Sequence, residues 1–147
     1  MAANFTQAAL RHFKDASILT GVGDRAHLPN AMQLFGLSAE CSLKAVLIGT
    51  GSIPVDPVTG GPDRREHKLH VDQLWQAFST LLGGRSASSY LALLKSTLKP
   101  EPFDSFAVSH RYEDEAALPW SDFPNYENGA TVALSVLAAA QLNGDVK

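Results

Sequence analysis

The chain has 147 residues, 45% of them hydrophobic, enough to build one sizeable core in a single domain. A formal charge of −3 and a pI near 5.9 argue against long tracts of nucleic acid or extended DNA as partners, while a local basic site remains able to hold a nucleotide or a short RNA. No uninterrupted 18-residue apolar run occurs, and the opening MAANFTQAALRHFKDA lacks the basic start and apolar stretch of a signal peptide, so no membrane span and a cytoplasmic location are expected.

The spacing predicts a first helix over 5–19, with Asn4 as its cap, Gln7 three residues on, and Phe5, Ala9, Phe13, Ala16 and Leu19 as its buried face before Gly21 and Gly23. A central helix follows over 29–48, from Pro29 to the residue before Gly49. Within it, LFGLSAECSLKAVLI is apolar on nearly every side, so this helix belongs in the middle of a bundle. Glu40 and Lys44 stand four apart inside that stretch and must meet each other, a partner helix or a ligand. Cys41, the only cysteine, lies on the main apolar stripe and reads as a small hydrophobe, because no second cysteine exists to resolve an oxidised intermediate.

The segment 50–66, TGSIPVDPVTGGPDRRE, holds too many prolines and glycines for a helix. It is either a lid or an inserted loop, and the small entropic cost of added loop residues favours insertion. A third helix is patterned by Val71, Leu74, Trp75, Phe78, Leu81 and Leu82, and a fourth over 86–98 by Ala87, Tyr90, Leu91, Leu94 and Leu98. Between 101 and 128, Phe103, Phe106, Tyr112, Trp120, Phe123 and Tyr126 alternate with the acidic run Glu113, Asp114, Glu115. These aromatics either close one end of the bundle or form a subunit contact, and the pattern allows a short helix over 105–118. The last helix spans 129–142. With no sustained strand alternation, the expected fold is all-α, an antiparallel bundle of four to five helices in one domain over 1–147.

The segments RHFKDASILTG, GLSAECSLKAVLIG, HKLHVDQLWQ and FDSFAVSHRYEDE resemble, in order and spacing, the HEPN superfamily of small helical domains. That resemblance implies a HEPN-like bundle, usually a homodimer, associated with nucleotide or RNA binding. It also implies, in many relatives, a nucleotidyltransferase partner and, in some, metal-independent ribonuclease activity. Active relatives carry an Arg followed four to six residues later by a His near the start of a late core helix. There the imidazole moves the proton of the ribose 2′-hydroxyl and the guanidinium stabilises the phosphorane charge. Here no Arg or His follows Arg111.

Weaker candidates sit elsewhere. Arg65, or Arg64, has the right spacing to His70, but in RREHKLH at the opening of the third helix. His67 and His70 form an HxxH pair without a convincing third ligand, so no metal is expected and a solvated basic helix opening fits better. His12 falls within the first apolar stripe and reads as a core-edge histidine. His110, Arg111 and Tyr112 suit a nucleotide phosphate with a stacked base, although the acids that follow are equally able to neutralise Arg111. Glu40 and Lys44 are either a structural pair or a means of orienting Arg111. Phosphate-loop, dinucleotide and Gly-x-Ser-x-Gly patterns are absent, and no cofactor is implied. The leading expectation is a non-catalytic module that binds a nucleotide or short RNA through Lys44, His110 and Arg111. The alternatives are a ribonuclease using Arg65 and His70, and a structural dimerisation or protein-interaction module.

Overall fold

A computed structural model describes residues 2–147, and among them five α-helices form an all-α bundle without strands. Helix α1 (Phe5–Gly21) is capped by Asn4, whose side chain accepts the Gln7 N–H at 3.0 Å, as the sequence predicts. Helix α2 (Leu28–Gly49) follows a 3-10 turn at Arg25–His27, then α3 (Val71–Leu81), α4 (Ala87–Leu94) and α5 (Phe123–Leu142).

Helix α2 is the axis of the bundle. Fifteen of its 22 residues are buried, so it has almost no solvent face, and α1, α3 and α5 all pack against it. Small side chains let the helices approach: Ala9 and Ala16 of α1, Ala39 of α2, and Ala130, Ala133 and Ala140 of α5 are fully buried. The Ser38 hydroxyl donates to the Ala9 carbonyl at 2.8 Å, satisfying a polar group that the α1–α2 contact removes from water. The stretch Arg25–Gly49 is long and apolar enough to cross a membrane, with mean hydropathy 1.3 over its best window, so the absence of an unbroken apolar run did not settle that point. Its neighbours bury 83% of that window, as they would for any core helix.

Three glycines mark where other segments press on helices, Gly49 at the end of α2 meeting the Asp145 backbone. A Cβ at Gly36 would collide with the Phe106 ring. At Gly129 it would lie 2.7 Å from the Phe103 ring and 2.8 Å from Pro102. Gly129 is therefore not the start of the last helix. Helix α5 begins at Phe123 with Pro124 in its first turn, and Tyr126 is fully buried against Phe103 and Phe106. Trp75 joins them at 5.5 Å from Phe103, so these aromatics close one end of the bundle, whereas Tyr112 is 82% exposed.

Helix α4 stops at Leu94, short of 98, because the Ser96 hydroxyl donates to the Leu93 carbonyl at 2.6 Å and turns the chain. Leu98 then lies on the surface at 76% exposure. In place of a helix over 105–118 there are two 3-10 turns, Val108–Arg111 and Glu115–Ala117. Asp114 caps the second by accepting the Ala116 N–H, which interrupts helical continuation.

The 50–66 segment is a pinned strap. Val55 and Pro62 pair as an isolated antiparallel bridge, and the Asp56 carboxylate accepts the Val58 N–H at 2.8 Å. Ile53 is buried in the core, and the Thr59 carbonyl accepts the Ala3 N–H at 2.6 Å, holding the strap across the start of α1. At the chain's other end the buried Tyr90 hydroxyl donates to Asp145 at 2.5 Å, and burial together with Asp145 raises its pKa.

A polar knot joins the loops to α5. Lys99 reaches Asp104 at 2.8 Å and Asp122 at 3.2 Å, and Asp122 also accepts from Ser105 at 2.6 Å and from Asn125 at 3.1 Å. Burial pushes the Asp122 carboxyl upward, but the donors from Ser105, Asn125 and Lys99 outweigh it and leave its pKa lowered. A carboxyl that titrates lower when folded contributes fully above its unfolded pKa, and the contribution fades as pH falls through the folded value. Asp122→Asn should therefore lower stability at pH 7 by about 1–3 kcal/mol, and urea unfolding should show the gap to the parent closing below about pH 4. Gly129→Ala should cost about 1–3 kcal/mol through overpacking against Pro102 and Phe103, read as a lower midpoint in the same titration.

Candidate functional site

Helix α2 carries an acid and a base where little water reaches. Glu40 and Lys44, one turn apart, are 7% and 9% exposed, and the Lys44 ammonium donates to Glu40 Oε2 at 3.2 Å. The other carboxylate oxygen, Oε1, lies 3.1 Å from His70 Nδ1, at the N-cap of α3. One buried carboxylate is thus shared between a lysine of its own helix and a histidine of the next. His70 is 60% exposed in its side chain, and its Nε2 has no protein partner among the described residues.

Helix α1 supplies the opposite rim. His12 is half-buried and lies close enough to feel the Glu40 charge. Burial, then Arg11, lowers its pKa, while Asp15 and Glu40 oppose the shift, so its imidazole is mainly neutral at pH 7. Arg11 and Cys41 line one small cleft with the residues before α1. The Cys41 thiol is pushed up to about 11 by burial and by Glu40, which keeps it protonated and unreactive at neutral pH. Phe5 places its ring 5.9 Å from the Lys44 ammonium, and the pinned strap borders the same end of α1. The strip of α2 between α1 and α3, the α1–α3 seam, therefore holds Lys44 and His70 on the Glu40 carboxylate, with His12 and Asp15 of α1 within electrostatic reach and Arg11 beside Cys41.

The sequence candidates part company here. Lys44 and His70 are brought together, through Glu40. His110 and Arg111 are not with them: their 3-10 turn packs at the other end of α2, where the Gln33 side chain donates to the Ala107 carbonyl at 2.8 Å. Gln33 and Lys44 are eleven residues apart, about 16 Å along a helix axis. Glu40 and Lys44 thus orient His70, not Arg111. Arg111 is exposed, donates to the Val108 carbonyl and lies 5.3 Å over the Tyr112 ring, while His110 is 3.8 Å from Glu113, so the acidic run engages His110.

Arg65 is also exposed, as are Arg64, Glu66 and Lys68, but His67 turns inward to 8% exposure. The HxxH pair therefore diverges, one imidazole into the protein and the other onto Glu40. The His67 Nδ1 is buried without a hydrogen-bond partner among the described residues. Among the described residues no three His, Cys, Asp or Glu side chains are grouped as a metal site requires.

Two contributors were missed by sequence reasoning. Sequence spacing leaves Arg11 unmarked and places His12 at the core edge without a link to Glu40. The available signal was register: Ala8 and Arg11 share an α1 face, and Cys41 precedes Lys44 on α2 by one turn. Removing one member of a buried pair leaves the other charge uncompensated, so Glu40→Ala should destabilise the domain by about 3–5 kcal/mol. The double variant Glu40→Leu/Lys44→Met should return to within about 1–2 kcal/mol of the parent in chemical denaturation, since a well-packed apolar pair replaces a buried ionic one at little cost.

No protein-family model matches the chain, and neither the search of curated proteins nor that of solved structures returns a match.

Proposed function

We propose that this chain is a HEPN-like helical module that binds a nucleotide or a short RNA without cleaving it, with the phosphate held at the α1–α3 seam. The observation that carries the reading is the sharing of the buried Glu40 carboxylate between Lys44 and His70, with Arg11 of α1 lining a cleft beside the neighbouring Cys41. The full charges there balance, Arg11 and Lys44 against Glu40 and Asp15, so a phosphate would be recognised by directed hydrogen bonds more than by net charge. A phosphate oxygen can accept from the His70 ring and from the Arg11 guanidinium, while Lys44 supplies nearby positive charge. Binding without chemistry is favoured because α5, the late core helix, contains neither Arg nor His. The resemblance to HEPN domains rests on the sequence segments quoted above. A homodimer and a nucleotidyltransferase partner belong to the same proposal as what that resemblance implies.

A ribonuclease reading also has a specific observation in its favour. Glu40 engages Nδ1 of His70 and leaves Nε2 open, the arrangement by which a carboxylate orients a general base. Arg65 contributes nothing visible to that arrangement, so such a site would depend on His70 with Arg11 or Lys44.

The test is calorimetric titration with AMP, ATP and a short single-stranded RNA, with the same RNA run on a gel after incubation. Saturable binding without cleavage is expected. Arg11→Ala and His70→Ala should each weaken it by about 5–30-fold, the loss of one charge-assisted hydrogen bond, and Arg111→Ala should change it by less. Affinity insensitive to both seam variants would overturn the site, and RNA cleavage abolished by His70→Ala would replace binding with catalysis.

A further inference from the structure

At the opposite end of α2 from the seam, an open cleft of about 490 Å³ lies between the end of α1 and the starts of α2 and α5. Its size falls in the range of small-molecule sites. Trp120, Phe123, Leu28 and Pro124 give it apolar walls, and Arg25 stands at its rim.

Both aromatic walls are fixed. The Trp120 indole N–H donates to the Glu115 carbonyl at 2.7 Å, and Phe123 packs edge-on against the core ring of Phe35 at 6.1 Å. Arg25, in contrast, is exposed and forms no ion pair among the described residues; its guanidinium rests 4.6 Å over the Trp120 ring. An exposed cation–π contact of this kind is weak, so the guanidinium can turn toward an incoming anion at small cost. Asp24, the one acid lining the cleft, is engaged with the Ala26 N–H at 2.9 Å. Helices α2 and α5 both begin near the cleft, but Asp24 and Asp122 stand at those starts, so Arg25 is the cleft's source of positive charge.

We propose that this cleft is a binding site for a planar aromatic anion: a flat ring lying against Trp120 and Phe123, with its phosphate or carboxylate on Arg25. A fixed indole stacks any aromatic ring, and an unpaired guanidinium beside it takes either anion in a bidentate hydrogen bond. The site is separate from the Glu40 seam and does not depend on the function proposed for it. If the occupant is a nucleotide, the cleft adds a second, base-stacking site to that function.

Trp120 reports on its own cleft. Trp75 is buried in the core at 6% exposure, so a Trp75→Phe background isolates the Trp120 fluorescence. This protein is titrated with AMP and, separately, with phenylacetate, in parallel with Arg25→Gln and His70→Ala versions whose folding is checked by circular dichroism. The expected result is saturable quenching that Arg25→Gln weakens by at least about tenfold and that His70→Ala leaves unchanged. Quenching by AMP assigns the anion as a phosphate, and quenching by phenylacetate alone assigns it as a carboxylate. No quenching by either compound, or quenching insensitive to Arg25→Gln, overturns the cleft site. AMP affinity lost in His70→Ala but kept in Arg25→Gln overturns it too, while supporting the seam.

Discussion

The Glu40 carboxylate sits on a helix with almost no solvent face, and that single fact constrains much of what surrounds it. A buried carboxylate is stable only if both oxygens are engaged. Lys44, one turn along, reaches one of them. The second comes from outside the helix, so the start of α3 must be placed where His70 meets α2. The strap preceding α3 is fastened to the start of α1, which brings Phe5 beside Lys44. Geometry at the seam is thereby set by electrostatic satisfaction as much as by apolar packing.

The other end of the bundle is organised by steric complementarity. Phe106 lies against Gly36 and Phe103 against Gly129, so two loop aromatics reach helix backbone that any side chain would block. Trp75 and Tyr126 complete the cluster, and the Asp122 knot holds its loop in register. What remains of that region, Trp120 and Phe123, forms a rigid aromatic cleft beside an unpaired arginine. The two ends of α2 thus offer different chemistry: a shared buried charge at one and an apolar platform with an exposed cation at the other. Twelve residues separate Leu28 from Glu40, about 18 Å along the axis, too far for one small molecule to engage both.

Much of the fold was legible because helix periodicity and capping are local. The Phe5, Ala9, Phe13, Ala16 stripe and the Asn4 cap need no tertiary information, and both appear where the spacing puts them. The errors fall where a local cue has a distant cause. Gly129 reads as a helix breaker, but its role is to admit Pro102 and Phe103, so α5 starts six residues earlier than its glycine suggests. Leu98 fits a helical face, yet Ser96 takes a helix carbonyl and ends α4 first. The site was legible only in part. Glu40 and Lys44 announce themselves by spacing, whereas His70 lies thirty residues away from Glu40 and Arg25 ninety-five from Trp120.

By itself, then, the sequence determined the number and approximate extent of the helices, the central position of α2 and the placing of Glu40 and Lys44 one turn apart within it. Each follows from contacts within one or two helical turns. Only the tertiary structure decided that His70 is the carboxylate's second partner, that Lys44 and Arg111 lie at different ends of the bundle, and that Arg25 faces Trp120. Those depend on how helices cross and how loops return. The free energy there comes from non-local packing and from satisfying buried polar groups, which no window along the chain contains.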